Sequence, residues 1–205
     1  MAVVPPIEAR AGRCTRCWLQ FAFCICADLP RVRVPLRVVV VRHWRERKKT
    51  SNTARLIELC LEPADIFDHG VRDHPFDPEP VTRAGSWLVF PEDTGESPAA
   101  PPSAPPGRPA TLPKALVLID GTWGQARRLS HRVPGLSDLP RLALPPARPV
   151  SDRLRRPHAP WAVSTVEAAA LAMEALGLSS AGDALYAAQA LFVRRVRAQA
   201  GLGPR

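Results

Sequence analysis

Several short apolar runs along the chain have the length and the β-branched content of buried strands. The clearest are residues 34–41, with the sequence VPLRVVVV, and residues 114–120, with the sequence KALVLID. Residues 86–90, 64–67 and 141–144 are weaker candidates. Apolar runs of this length, bounded by turn residues, are typical of strands that are buried on both faces of a sheet.

Helical spacing of apolar residues predicts two long helices near the C-terminus. The first covers residues 165–176 and ends before Gly177, a residue type that often follows the last turn of a helix. The second covers residues 182–200, with apolar residues on one side and three arginines on the other. Each helix is therefore expected to pack one face on a core.

Two shorter helices are predicted between the strands. The first covers residues 53–61, where Asn52 can cap the first turn and Pro63 is expected to end the helix. The second covers about residues 123–131 and follows the apolar run at 114–120. Both positions fit helices that connect consecutive strands.

The order of these elements predicts an α/β fold with a mainly parallel sheet flanked by helices, because strands alternate with helices. Ligands bind at the carboxyl ends of the strands in such sheets, which points to Phe90, Pro91 and residues 120–123. Residues 31–205 are expected to form this α/β domain. Within it, residues 92–113 are dense in Pro, Gly, Ser and Ala, which predicts a flexible surface insertion.

Residues 1–30 lack helical or strand periodicity and are expected to form a small cysteine-rich module. Four of the five cysteines, Cys14, Cys17, Cys24 and Cys26, have the spacing C-x2-C-x6-C-x-C. Four thiolates this close in sequence can bind one tetrahedral ion, and zinc is the default for an all-sulfur site. An iron–sulfur cluster, or a set of buried or disulfide-bonded thiols, is the alternative. Such a closed metal site would be structural.

The cysteines are surrounded by basic and aromatic side chains, namely Arg13, Arg16, Trp18 and Phe21. On a zinc knuckle such residues can contact RNA phosphates and stack on bases. Trp18 and Phe21 can equally pack against the main domain, and the sequence does not decide between the two arrangements.

The charge of the chain favours a polyanionic partner, with nucleic acid first. The net charge is +9 and the isoelectric point is about 10.3. Only three of the 28 basic residues are lysines, and the chain has 24 prolines, so a biased composition accounts for part of this charge. No apolar run is long enough for a membrane helix and no signal-peptide pattern is present, so we expect a cytoplasmic protein without a membrane partner.

A basic segment at residues 42–49 carries five cations in eight residues, directly after a predicted strand. Phosphate contacts at this end of the sheet would position a nucleic acid without reading its sequence. A solvated charged turn is the alternative interpretation.

The turn after the strand at 114–120 is the second candidate site. Thr122 and Gln125 fit a capping box, and Gly121 would let the backbone approach a ligand. Packing or capping does not readily explain Asp120 and Trp123, because an aspartate beside an aromatic residue at a strand end suits an amine or a base. A second capping box, Ser164 to Glu167, opens the helix at 165–176, and there capping is the favoured explanation.

Taken together, these segments resemble the DTW-domain family of tRNA-uridine aminocarboxypropyltransferases. The matching stretches, in family order, are the four cysteines, His43-x-x-Glu46, residues 52–56 (NTARL), 88–91 (LVFP), 120–123 (DGTW) and 164–168 (STVEA). The most specific is DGTW after an apolar strand. The chain departs from the family at Trp44, where proline is usual, in the insertion at 92–113, and at 151–156, which lacks a tyrosine.

The resemblance implies a SPOUT-like sheet that binds S-adenosylmethionine at its carboxyl end, and transfer of the aminocarboxypropyl group to N3 of a tRNA uridine. We hypothesise that Asp120 is the catalytic carboxylate, either as general base or as anchor of the methionine amine. The expected cofactor contacts are Leu88, Phe90, Pro91, Asp120, Gly121, Thr122, Trp123, Thr165 and Glu167. The expected RNA contacts are His43, Arg45, Arg47, Lys48, Lys49, Asn52 and Arg55, with Arg194, Arg195 and Arg197.

Two other functions remain open from the sequence. A zinc-knuckle RNA-binding protein without catalysis explains the cysteines and the charge, but not the turn at Asp120. An RNA methyltransferase would use the same cofactor in a different orientation. The sequence also leaves open a monomer or a dimer, with the monomer favoured.

Overall fold

A four-stranded, entirely parallel sheet forms the centre of the protein, in a computed structural model that describes residues 12–91, 111–150, 153–155, 157, 159 and 162–202. The strands are β1 (Val32–His43), β2 (Leu61–His69), β3 (Ser86–Val89) and β4 (Ala115–Asp120). Their order across the sheet is β2-β1-β4-β3, and each neighbouring pair is parallel. The predicted mainly parallel sheet is therefore confirmed. Most of the insertion at 92–113 lies outside the described residues.

Helices connect and cover the strands. They are α1 (Ala54–Cys60), α2 (Glu79–Thr82), α3 (Trp123–Arg132), α4 (Thr165–Ala175) and α5 (Ser179–Gln199), with 3-10 turns at Phe21–Phe23 and Trp44–Glu46. Among the described residues, no helix is both long and apolar enough to cross a lipid bilayer.

The central strands are buried on both faces, which explains their continuous apolar sequences. Val38 and Leu118 belong to a core formed with α1, α4 and α5, whereas Val39 and Val117 belong to a second core formed with α3. Alternate residues of a strand point to opposite faces, so one run of valines supplies both cores. The result is three layers with β1 and β4 in the middle.

The start of α1 and the course of β2 differ from the prediction. Asn52 does not cap α1, because the N-cap is Thr53 and its side chain makes no capping hydrogen bond. Pro63 does not end the helix, since α1 ends at Cys60 and Pro63 lies within β2. β2 is at the edge of the sheet, where a residue without an N–H is tolerated, and the pairing register with β1 shifts next to Pro63.

The candidate strand at 141–144 is not a strand in this structure. Its only described pairing is an isolated parallel bridge between Arg141 and Leu88. Pro140 before it and Pro145 after it lack the N–H donors that a continued ladder needs.

The cysteine-bearing segment shares a core with the sheet. Cys17, Leu19, Ile25 and Leu29 are buried in the same cluster as β1, β4, α1, α4 and α5. The division at residue 30 therefore separates two sequence patterns, while the packing between them is continuous.

Replacement of Phe192 by Ala tests the contribution of α5 to this core. Phe192 is fully buried, so the lost contacts and the cavity should lower the free energy of unfolding by about 3–5 kcal/mol. Phe21→Ala is the matched control, because Phe21 is 67% exposed and its loss should change stability by less than about 0.5 kcal/mol. Urea unfolding followed by circular dichroism measures both, and equal losses would contradict the assignment of Phe192 to the core.

Candidate functional site

The carboxyl ends of three strands meet in register at one edge of the sheet. Arg42 near the end of β1 pairs in register with Asp120 of β4 on one side and with Asp68 of β2 on the other. The chain order reverses between β1 and β4, and such a switch point opens a crevice for ligands in parallel sheets. Asp120 therefore lies where the sequence analysis expected it.

Two hydrogen bonds hold the Asp120 carboxylate, which is only 5% exposed. The Thr165 hydroxyl donates to Oδ1 and the Asn52 side-chain amide donates to Oδ2, each at 2.6 Å. Burial raises the pKa of Asp120, while the hydrogen bonds from Thr165 and Asn52 and the charge of Arg42 oppose that rise. A raised pKa makes the carboxylate a stronger base, and each oxygen keeps a free lone pair for a ligand.

Asn52 is a buried part of this site. It is 2% exposed, and its Oδ1 has no hydrogen-bond partner among the described residues. Because a buried acceptor without a partner is costly, the site favours a ligand or a neighbouring group that donates a hydrogen bond there. Asn52 is therefore not on the surface as a phosphate contact, which corrects the sequence-based expectation.

Two aromatic rings lie side by side at the ends of β3 and β4. The rings of Phe90 and Trp123 are stacked, with centroids 5.3 Å apart and an angle of 25° between their planes. Arg141 fixes the chain at this point, since its Nη1 donates to the carbonyl oxygens of Phe90 at 3.0 Å and Pro91 at 2.8 Å. Aromatic faces of this kind can stack on a planar heterocycle such as adenine.

Leu88 supports this aromatic pair from the interior. Its side chain is fully buried, and its backbone N–H and carbonyl are bonded to Pro140 and Leu142. It therefore shapes the strand end without a free backbone group to offer a ligand.

The predicted capping box at the start of α3 is confirmed. The Thr122 hydroxyl accepts from the backbone of Gln125 at 3.4 Å, and the Gln125 side chain accepts from the backbone of Thr122 at 2.7 Å. A Cβ atom added to Gly121 would lie 3.0 Å from the Cβ of Gln125. The glycine is thus required by the tight packing of this turn, whether or not a ligand approaches it.

The second capping box, at the start of α4, is also confirmed, and it continues into a buried ion pair. Glu167 is 1% exposed and accepts from the backbone of Ser164 at 2.8 Å. Its carboxylate also contacts Arg153 at 3.0 Å and Gln189 at 2.6 Å. Since both oxygens have protein partners, the geometry gives Glu167 the role of positioning α4, and with it Thr165.

Several charged residues of the basic segment are engaged within the protein. Arg42 contacts both oxygens of Asp68 at 2.6 and 3.1 Å, and Arg47 contacts the same carboxylate at 3.0 Å. Arg55 is 3% exposed and donates to the backbone carbonyls of Arg47, Lys49 and Asn52. Burial lowers the pKa of Arg55 to about 10. Arg47 and Arg55 thus hold together the basic turn, residues 43–52, which follows β1. The structure therefore does not support either arginine as a phosphate contact.

Glu46 stabilises the same turn from the protein interior. It is 1% exposed and pairs with Lys49 at 2.5 Å and with Arg155 at 3.0 Å. Burial opposes its ionisation, but these two cations outweigh burial and lower its pKa. The role of Glu46 could not be predicted from sequence, because a lone acidic residue in a basic run gives no signal of burial.

The remaining predicted RNA contacts of the turn lie at its surface. Arg45 and Lys48 are exposed, and His43 and Lys49 are partly exposed. Burial and then the charge of Arg45 lower the pKa of His43, so its imidazole is mainly neutral at pH 7. The positive surface of the turn is therefore provided by Arg45 and the two lysines.

The four cysteine sulfurs form a compact cluster that suits a metal ion. All four lie within 4.8 Å of one another, and the pairs Cys14–Cys26 and Cys17–Cys24 are each 3.7 Å apart. A tetrahedral zinc site with Zn–S bonds of about 2.3 Å has sulfurs about 3.8 Å apart, so the donor set fits zinc. Burial opposes ionisation of Cys14, yet N–H groups of residues 17 and 16 and the Cys26 thiol lower its pKa to about 7.

Trp18, in the loop between the second and third of these cysteines, joins the module to the basic turn. It is 1% exposed, and its indole N–H donates to the carbonyl of Lys48 at 3.0 Å. The Arg55 guanidinium lies 5.9 Å from the centre of its ring. The sequence left open whether Trp18 and Phe21 pack against the main domain or are available to RNA. In the structure Trp18 packs against the main domain, whereas Phe21 is exposed.

Comparison with known proteins places the chain in a described family. The family profile named DTW domain matches residues 11–197. The protein named tRNA-uridine aminocarboxypropyltransferase 2 from Drosophila melanogaster is 27% identical over 175 residues, which cover 82% of this chain and 67% of the fly protein. Proteins of the same name from Macaca fascicularis and Mus musculus are 26% and 25% identical, over 62% of this chain and 44% of each relative. No solved structure matches the chain, and the SPOUT class remains a prediction.

Replacement of Cys17 by Ala tests the metal site. The wild-type protein is expected to carry about one zinc ion per chain, and the variant to lose it, because three thiolates leave the tetrahedron incomplete. Cys60→Ala is the matched control, since Cys60 is a buried thiol outside the cluster. Elemental analysis of the purified proteins gives the zinc and iron content. Equal zinc in Cys17→Ala and wild type, or iron instead of zinc, would contradict the assignment.

Proposed function

The chain belongs to the DTW-domain family, and from this premise we propose that it transfers the aminocarboxypropyl group of S-adenosylmethionine to N3 of a uridine in tRNA. The names of the relatives support a tRNA substrate and this group transfer. Support from the structure comes from one observation above all, the buried Asp120 carboxylate held by Thr165 and Asn52 at the carboxyl edge of the sheet.

The proposed reaction forms one bond and breaks another. The N3 atom of uridine loses its proton and attacks the γ-carbon of the methionine moiety. The C–S bond breaks, its electron pair stays on sulfur, and neutral methylthioadenosine leaves. Attack on the methyl group would neutralise the sulfonium equally well, so the protein must select the reaction by orienting the γ-carbon, rather than the methyl group, towards the nucleophile.

Asp120 is suited to one of two roles in this step. As a general base it would accept the N3 proton, which its raised pKa and its free lone pairs support. As an anchor it would bind the methionine ammonium group, with the unpaired Oδ1 of Asn52 as a second acceptor. In both roles Thr165 and Asn52 fix the direction of the carboxylate.

We assign the adenosine moiety to the surface formed by Phe90 and Trp123. Their stacked rings offer an apolar face beside Asp120, and the Pro91 backbone continues that surface. The positive end of the α3 helix dipole, at residues 121–123, favours the methionine carboxylate. Leu88 and Glu167 act from the interior, because both are buried and bonded within the protein.

We propose that tRNA phosphates contact the exposed Arg45 and Lys48 of the basic turn and the partly exposed Lys49, with His43 beside them. The C-terminal arginines extend the basic surface less strongly than the sequence suggested, since Arg195 pairs with Asp28 at 3.7 Å. We further propose that the protein acts as a monomer in the cytoplasm.

The decisive experiment is mass spectrometry of nucleosides from tRNA incubated with the zinc-loaded protein and S-adenosylmethionine. Wild type is expected to add one aminocarboxypropyl group to uridine, and Asp120→Asn to lose at least about a hundredfold in rate, as expected for loss of acid–base catalysis. Asp138→Asn, at an exposed aspartate, is the matched control and should keep its activity. Near-full activity of Asp120→Asn would exclude both roles.

The same variant also gives a stability readout that does not depend on activity. Because burial raises the pKa of Asp120, the contribution of this one group to stability is fully present below about pH 4 and is lost as the pH rises through its folded-state pKa. Asp120→Asn removes this loss, and the Asn52 amide can rotate to accept from the new amide. The stability of the variant relative to wild type should therefore increase from pH 4 to pH 8 in urea unfolding.

Other products would indicate other functions. A methylated base would keep the cofactor and the RNA but replace group transfer by methyl transfer. Unchanged nucleosides with tRNA still bound would favour an RNA-binding protein without catalysis.

Lys48→Ala tests the phosphate surface. Loss of one phosphate contact should weaken tRNA binding and reduce the slope of log affinity against log salt by about 0.7–0.9. Lys114→Ala is the matched control, because Lys114 is exposed directly before β4, at the opposite edge of the sheet. Fluorescence anisotropy at several salt concentrations measures both slopes, and equal effects of the two substitutions would contradict the assigned surface.

A further inference from the structure

We propose that Trp44 is a stacking platform for an unpaired base of the RNA, next to the uridine that reacts at Asp120. This inference rests on the proposed function for its RNA ligand. The platform consists of the Trp44 indole and the guanidinium of Arg45, and it belongs to the turn that follows β1.

The indole of Trp44 lies at the protein surface, although it is a large apolar side chain. Among the described residues, the large apolar side chains at the surface are Phe21, Trp44 and Leu202, and Trp44 is 45% exposed. Trp18, by contrast, is 1% exposed and packs between the module and the turn. The His43 ring lies nearly parallel to the indole, with centroids 6.3 Å apart, but core packing does not account for the exposed part of Trp44, which suits a base.

The indole is held in place by its surroundings. His43 caps the 3-10 turn, with its Nδ1 accepting from the Arg45 N–H at 3.2 Å. Gly70, with φ of 84°, lies against the ring, and a Cβ atom there would be only 2.9 Å from the indole Cδ1. A side chain at position 70 would displace the ring. The platform is thus preorganised, which lowers the entropic cost of binding.

The charges around Trp44 match a nucleotide. The Arg45 guanidinium carbon lies 5.3 Å from the centre of the Trp44 ring, within the range of a cation–π interaction. Arg45 and Lys48 are exposed on the same turn. An aromatic face for the base, with cations for the phosphates, is the usual combination in sites for single-stranded RNA.

Trp44 also lies at the edge of the sheet that holds the proposed reaction centre. Trp44 follows Arg42 by two residues in sequence, and Arg42 pairs in register with Asp120 of β4. A shallow, open depression of about 440 Å³ is lined by residues 69–71 and 73–76, and so includes the glycine that contacts the indole. A single strand whose base stacks on Trp44 would then run along this end of the sheet towards Asp120.

Binding of short RNA in the absence of S-adenosylmethionine tests the platform apart from the reaction. The probes are an eight-residue oligouridylate and an abasic oligomer with the same ribose-phosphate backbone. Trp44→Ala should weaken oligouridylate binding about five- to a hundredfold and leave abasic binding unchanged. Trp44→Phe should keep most of the affinity, because it retains an aromatic face. Oligouridylate should quench the fluorescence of Trp44 in the wild type. Both variants lack this indole, so their tryptophan fluorescence should be quenched less.

Leu202→Ala is the control for loss of exposed apolar surface, because Leu202 is 60% exposed and is the last residue that the structure describes. Equal binding by Trp44→Ala and wild type would overturn the proposal, as would an equal loss for both probes. A wild type that binds the abasic oligomer as tightly as oligouridylate would also overturn it. If the base stacks on Trp44 but no group is transferred, the stacking platform is supported and only the proposed reaction is refuted.

Discussion

The buried carboxylate of Asp120 is the group on which the carboxyl edge of the sheet depends. It joins β4 to Asn52 before α1 and to Thr165 at the start of α4, which are far apart in sequence. A buried charge is costly unless hydrogen bonds and nearby opposite charge compensate for it. Two bonds of 2.6 Å and the charge of Arg42 supply part of that compensation, and the pKa of Asp120 stays raised because burial outweighs them. The same contacts that make the charge tolerable also fix its direction, so stability and site geometry have a common origin.

The four-cysteine module contributes to this site from a distance. Trp18 and Arg55 together bind backbone carbonyls of the basic turn, from Arg47 to Asn52, and they stack against each other. Asn52 ends that turn and donates to Asp120. The four-cysteine cluster thus lies next to Trp18 in sequence, Trp18 helps to hold the turn, and the turn presents Asn52. The contribution of the module to the site is positional, because it acts through the contacts of Trp18 with Lys48 and Arg55.

Much of the fold could be predicted from sequence, because β1 and β4 are buried on both faces and therefore read as uninterrupted apolar runs. The capping boxes were equally readable, since their partners are three residues apart. The long-range partners were not. The Asn52 amide looked like a helix cap, and its bond to Asp120 spans 68 residues. Pro63 looked like a helix stop, although an edge strand accommodates it. Local rules fail where a tertiary contact offers the same side chain a better partner.

The arginines of this chain illustrate the same limit for function. A basic composition suggested a broad RNA surface, yet Arg42, Arg47 and Arg55 bind carboxylates or carbonyls of the protein itself. A planar guanidinium with five donors is well suited to that structural use, so arginine content overstates the charge available to a ligand. What the turn leaves exposed is a smaller set, Arg45 and Lys48, of which Arg45 lies over the Trp44 ring. A surface that combines few cations with one fixed aromatic face is better matched to a single strand than to a duplex, because a duplex keeps its bases stacked on one another.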